Sequence, residues 1–156
     1  MRNEPQTKSG ILRVAVCGAG AMGLQIAMTV AQAGKTATLF DVHSEQLERA
    51  QVTMEQLLEK YTARGRLKEG EDELIRKNLE FLDELPRAIQ DADLVIEAIV
   101  EDSQAKDNLF QELEKYTEKD TILATNSSSI VSSKLIGALQ SPERVCNLHF
   151  FNPAMV

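Results

Sequence analysis

Apolar residues along the chain fall into two alternating patterns. Apolar-rich runs, with scattered polar residues such as Arg13, Glu80 and Glu97, occupy residues 12–17, 36–40, 79–82, 94–100, 121–124 and 145–150. Runs of that length without polar alternation suit strands covered on both faces. Between them, apolar residues recur at steps of three and four, the period of a helix with one buried face. Residues 20–33 form the first such segment, which Gly34 closes, and Ser44 offers a cap to a long second one. There Leu47, Ala50, Met54, Leu57, Leu58 and Tyr61 make one stripe, opposite a charged face. Gly65 and Gly70 interrupt the pattern, residues 71–77 resume it, and Pro86 opens a short turn. Further helices are predicted after Asp102 and over residues 130–139. Strands alternating with helices predict an α/β fold, a doubly wound Rossmann-type sheet that is mostly parallel. A helical hairpin is inserted after the second strand. Residues 1–10 read as a flexible lead-in and residues 11–156 as one domain.

One junction carries chemistry. The first run ends in Gly18-Ala19-Gly20-Ala21-Met22-Gly23, and a helical pattern follows. In such a glycine pattern the first permits a tight turn and the second lets a pyrophosphate approach the backbone. The third lets the helix pack closely on the strand. The free N–H groups at the helix start, at Ala21 and Met22, then face the phosphates. The second strand ends in Asp41, about 20 residues on, where an acid that hydrogen-bonds a ribose is expected. A carboxylate there accepts from a free 2′-hydroxyl and repels a 2′-phosphate. Val42 and His43 follow it with no adjacent arginine, so NAD is expected over NADP.

Composition narrows the partners. The chain has 156 residues, 43% hydrophobic and 26% charged, the profile of an ordinary globular protein. Its formal net charge of −7 disfavours nucleic acid and anionic membrane surfaces. Cys17 and Cys146 both fall in apolar runs and are expected as buried reduced thiols, with no metal-ligand spacing around them. No signal-peptide core opens the chain and no run reaches membrane-spanning length, so a cytoplasmic location is expected.

Three later segments add to the glycine turn. They are residues 93–101, ending in Glu101; residues 125–130, with Asn126 and Ser128; and His149-Phe150-Phe151-Asn152-Pro153. In a doubly wound sheet, ligands sit beyond the carboxyl ends of the strands, and Glu101, Ser128 and His149 each fall at or just after one. They are therefore expected around one crevice. An imidazole near neutral pH can take the proton that a hydroxyl loses as its carbon gives up hydride. The plainer alternative for His149 is a histidine satisfied at the core edge, and for Ser128 a helix N-cap.

Together these segments resemble the NAD-binding domain of the 3-hydroxyacyl-CoA dehydrogenase family, from about residue 12 to residue 153. The resemblance implies that His149 takes the hydroxyl proton of a 3-hydroxyacyl-CoA and that Ser128 hydrogen-bonds the substrate oxygen. It implies that Asn126 and Asn152 line the nicotinamide and substrate side, and that Glu101 and Lys106 lie near the cofactor ribose. In the inserted hairpin, Leu57 stands where the family offers a serine to coenzyme A, and Arg64 replaces a nearby lysine. The family also has a glutamate beyond the His-Phe-Phe-Asn-Pro motif that orients the histidine, and a helical second domain that completes the pocket and makes the homodimer. Both lie past Val156, so residues 1–156 alone are expected to turn over poorly. Two other readings stay open on the sequence: a non-catalytic, crystallin-like nucleotide-binding protein, and a dehydrogenase of another β-hydroxy acid.

Overall fold

The computed structural model describes residues 10–130, 132–135, 137 and 139–155. Residues 1–9 of the lead-in lie outside the described residues. Six strands form one all-parallel sheet: β1 Arg13–Cys17, β2 Thr36–Phe40, β3 Leu79–Leu82, β4 Leu94–Glu97, β5 Ile122–Thr125 and β6 Val145–Asn147. Their order across the sheet is β3-β2-β1-β4-β5-β6, so the chain runs outward from β1, then returns to its other side. That reversal between β1 and β4 opens the crevice at which such sheets bind ligands. The register aligns Phe40 with Cys17, Cys17 with Glu97, Glu97 with Thr125 and Thr125 with Asn147, so the carboxyl ends share one edge.

Successive strand side chains point to opposite faces, and both faces are covered. Val14, Val16, Leu39 and Ile96 pack with α1 Ala21–Gln32, α2 Ser44–Ala63 and α3 Glu71–Asn78. Ala15, Cys17, Val95 and Leu123 pack with α4 Leu85–Ile89 and α5 Ser103–Tyr116. This double cover explains why the strands read as apolar-rich runs. The sheet is doubly wound, with the α2–α3 hairpin on the α1 face.

Several ends differ from the sequence pattern. The strand expected over residues 94–100 stops at Glu97, because the Glu97 carboxylate accepts the Ile99 N–H at 2.8 Å and turns the chain out of the ladder. His43, not Ser44, is the N-cap residue of α2, and no side chain caps that end. The last helix is α6, Ser132–Leu135, with residues 136 and 138 outside the described residues. A 3-10 turn over Pro142–Arg144 then leads into β6. Cys146 is exposed, since β6 is an edge strand paired on one side. Cys17 is fully buried, and burial with the Glu97 and Asp41 carboxylates nearby pushes its thiol well up. Among the described residues, no helix is long and apolar enough to cross a membrane.

Candidate functional site

Beyond the carboxyl ends of β1, β2 and β4 lies a cleft of about 1230 Å³. Its floor is the turn from β1 into α1. Gly18 has φ +109°, and a Cβ there would stand 2.5 Å from the Ala98 carbonyl oxygen, so only glycine lets the turn pass under β4. A Cβ on Gly23 would stand 1.8 Å from the Gly18 oxygen, which fixes how tightly α1 seats on the turn. Gly20 has open space where a Cβ would be and gives α1 no side-chain cap. The first N–H groups of α1, at Ala21 and Met22, therefore face the cleft with the positive end of the helix dipole behind them.

Asp41 holds this turn as well as lining the cleft. Its Oδ2 accepts the Ala19 N–H at 2.9 Å and its Oδ1 accepts the His43 N–H at 3.0 Å. Each carboxylate oxygen retains capacity for a second donor. Gln46 supports the other side, donating from Nε2 to the Ala19 carbonyl at 3.1 Å. No arginine follows Asp41 in sequence, but Arg49 lines the same cleft from α2, its guanidinium 3.8 Å from Glu45. Val42 and Val100, 70% and 71% exposed, give the cleft apolar walls.

A buried ionic cluster lies next to this cleft, under β4 and β5. Glu97 is 0% and Lys106 1% exposed, and their Oε1 and Nζ are 2.7 Å apart. Lys106 Nζ also lies 3.1 Å from Glu101 Oε2. Lys106 thus sits beneath the surface and joins the two carboxylates. Glu101 accepts the Ser127 hydroxyl and, at 2.5 Å, the Ser129 hydroxyl. Burial would raise its pKa, but the hydrogen bonds from Ser127, Ser129 and Lys106 outweigh it, and the carboxyl is lowered to about 2.

Ser127, not Ser128, holds the turn that follows β5. Ser127 Oγ accepts the Ser129 and Ile130 N–H groups at 3.2 and 2.7 Å. Ser128 is exposed, and among the described residues its hydroxyl has no hydrogen-bond partner.

His149 follows β6 and is exposed. Its Nδ1 lies 2.7 Å from the Asn126 carbonyl oxygen, and the Asn126 Oδ1 accepts the Phe150 N–H at 2.7 Å. The Asn126 N–H itself goes to the Glu97 carbonyl at 2.8 Å. Asn126 therefore pins the His149 segment over the ends of β4 and β5, with its side chain spent on backbone. The Phe151 ring stands edge-on to the imidazole, centroids 5.1 Å apart.

After His149 the chain crosses to the first helix. Gln25 on α1 accepts the Ala154 N–H at 3.0 Å and donates to Asn152 Oδ1 at 3.5 Å. Met155 is buried in the α1-side core. Sequence reasoning missed Gln25 and Gln46, for a polar amide on a helix leaves no periodic mark. Arg64 lies outside these groups. It is the exposed C-cap residue of α2, whose 20 residues carry it about 30 Å from the cleft end.

The family model for 3-hydroxyacyl-CoA dehydrogenase, NAD binding domain, matches residues 13–156. The 3-hydroxybutyryl-CoA dehydrogenase of Mycobacterium tuberculosis is 39% identical over 147 residues, 94% of this chain and 51% of that protein. The human mitochondrial hydroxyacyl-coenzyme A dehydrogenase is 34% identical over 152 residues, 94% of this chain and 48% of that protein. Among solved structures, 3-hydroxybutyryl-CoA dehydrogenase from Escherichia coli K12 superposes with a TM-score of 0.90 at 38% identity. It covers 95% of this chain and 31% of that one. The chain spans about half the length of the first two of these relatives.

Proposed function

This chain belongs to the 3-hydroxyacyl-CoA dehydrogenase family through its NAD-binding domain, and on that premise we propose that it is the cofactor half of an oxidoreductase. The enzyme interconverts (S)-3-hydroxyacyl-CoA and 3-oxoacyl-CoA in fatty-acid or short-chain acyl-CoA metabolism. The observation that carries the reading is the pairing of a free Ser128 hydroxyl and a pinned, exposed His149 at the ends of adjacent strands.

The residues present fit the dinucleotide. Gly20 leaves room for a pyrophosphate, the uncapped start of α1 supplies N–H donors, and Asp41 stands in the same cleft with acceptor capacity left. Gly18 to Gly23 would hold the pyrophosphate, Asp41 a ribose, and Val42 and Val100 would flank the base. A cofactor held there would supply the hydride acceptor for the carbinol carbon in oxidation and, in its reduced form, the hydride donor to the carbonyl carbon in reduction.

The chain's own residues supply the proton chemistry. A carbonyl oxygen only accepts, so the His149 Nδ1 carries the hydrogen of that 2.7 Å contact and Nε2 keeps the lone pair. Nε2 takes the hydroxyl proton in oxidation and returns it in reduction. Ser128 donates to the oxygen as charge develops there. Glu101 and Lys106 support the ribose side from beneath, and Asn152 faces the nicotinamide side.

The remaining assignments are part of the same proposal. The substrate carries coenzyme A, Arg64 meets it from the far end of α2, and the working enzyme is a homodimer made through a helical region of the family's second domain. The compartment is reducing and cytoplasmic, as two free thiols suit. Acetoacetyl-CoA reduction, followed by NADH absorbance in the complete enzyme, tests the reading: normal turnover with His149→Gln would sink it.

A further inference from the structure

Ser127 closes a hydrogen-bonded ring on itself. Its N–H donates to Thr125 Oγ1 at 3.1 Å, and the Thr125 hydroxyl donates to Glu97 Oε2 at 2.6 Å. Lys106 joins Glu97 at 2.7 Å to Glu101 at 3.1 Å, and Glu101 accepts the Ser127 hydroxyl. The ring leaves from the Ser127 backbone and returns to its side chain, through two carboxylates and one buried ammonium. Among the described residues, no buried side-chain nitrogen or oxygen lacks a partner. At its buried end the network is rigid, since displacing Glu97 or Lys106 would strand the other's charge in a low-dielectric interior, while Glu101 reaches the surface.

We infer that Ser127 is a positioning residue, which fixes the loop carrying Ser128 through this ring and ties that loop to the cofactor cleft. The argument is geometric. Ser127 Oγ also takes the Ser129 and Ile130 N–H groups, so the backbone on the far side of Ser128 is held by the same atom. Ser128 is thereby bracketed, its own hydroxyl left over. The ring reaches the cleft at two points: Glu97 Oε1 accepts the N–H of Ile99, and Lys106 follows Ala105, with Ile99 and Ala105 both in the cleft lining. A ligand pressing on those walls therefore presses on the ring. The role given to Ser128 rests on the proposed dehydrogenase reading. The ring and its coupling to the cleft do not.

The test uses Ser127→Ala, which fits the space, and Ser127→Thr, which restores the hydroxyl. Opening the ring frees the Ser129 and Ile130 amides, so in Ser127→Ala their hydrogen exchange should quicken about tenfold. The Glu101 carboxyl, followed by carbon-13 NMR, should titrate above its value of about 2, toward 4.5. NADH should slow both amides in the parent chain and not in Ser127→Ala, and Ser127→Thr should restore parent behaviour in each measurement. In the complete enzyme, kcat should fall about tenfold in Ser127→Ala with NADH Kd within about twofold. Unchanged exchange and titration in Ser127→Ala would overturn the ring. A quickened loop with full kcat, in an enzyme that His149→Gln disables, would overturn positioning alone. If His149→Gln leaves turnover intact, the dehydrogenase mechanism fails while exchange and titration still decide the ring.

Discussion

His149 Nδ1 and the Asn126 carbonyl oxygen are 2.7 Å apart, which makes Nε2 the basic atom of the imidazole. The neutral ring should therefore be the Nδ1–H tautomer. Nitrogen-15 NMR of the chain with the ring neutral should show a pyrrole-like Nδ1 and a pyridine-like Nε2 for His149, and the reverse pattern would refute the assignment. In the complete enzyme His149→Gln should cost about 10²–10⁴-fold in kcat, the range for a general acid–base group. NADH affinity should stay within about twofold, because His149 does not line the dinucleotide cleft.

Asp41 should set cofactor choice and loop order together. Asp41→Ala removes the acceptor for the Ala19 and His43 N–H groups as well as the proposed ribose partner. A lost hydrogen bond to a charged group costs about 1.5–3 kcal/mol, so the NADH Kd should rise roughly 10- to 100-fold. NADPH should lose less, because Arg49 remains in the cleft and the repelling carboxylate is gone. Titration of both cofactors against both proteins checks this, and an unchanged NADH-to-NADPH ratio would defeat it.

Gly23→Ala should harm fold and binding at once. The added Cβ would meet the Gly18 oxygen at 1.8 Å, which is backbone and cannot swing aside. The turn must open, at a cost of about 1–3 kcal/mol or more in stability. Denaturant unfolding should show that loss, and NADH binding should weaken with it. Gly20→Ala, which has open space, should leave stability nearly unchanged while obstructing the pyrophosphate.

Glu101 gives the chain a pH signature. Its folded pKa of about 2 lies below the ordinary 4.5. Its contribution to stability is therefore complete above 4.5 and is lost as pH falls toward 2. Denaturant unfolding between those values should show a downward slope with falling pH that is shallower in Glu101→Gln. Equal slopes in the two proteins would count against the Ser127, Ser129 and Lys106 contacts.

Much of this was legible in the pattern of apolar residues. β2 and β3 begin and end where their apolar-rich runs do, because a parallel strand covered on both faces favours apolar residues along most of its length. β4 was less legible. The apolar run continues to Val100, but the side chain of Glu97 captures the Ile99 N–H, a contact that composition cannot show. Lys106 reads as a solvated charge on a helix until the fold sets two carboxylates against it. Arg49 reads as surface because its relation to Asp41 is spatial, made by the first turns of α2. The glycine turn was legible because Gly18 and Gly23 each answer a steric demand of the backbone. The amides of Gln25 and Gln46 act through single contacts and leave no signal along the chain.

The bond from Ala154 to Gln25 spans 129 positions. A ribosome delivers α1 and its glycine turn early, and the segment bearing His149 much later. While residue 154 is still inside the exit tunnel, the dinucleotide turn and most of the sheet can already be assembled, whereas the imidazole has no dock on α1. During synthesis the residues proposed to bind a nucleotide thus precede the residue proposed to accept a proton, and the dock for the second waits on α1 before its partner arrives.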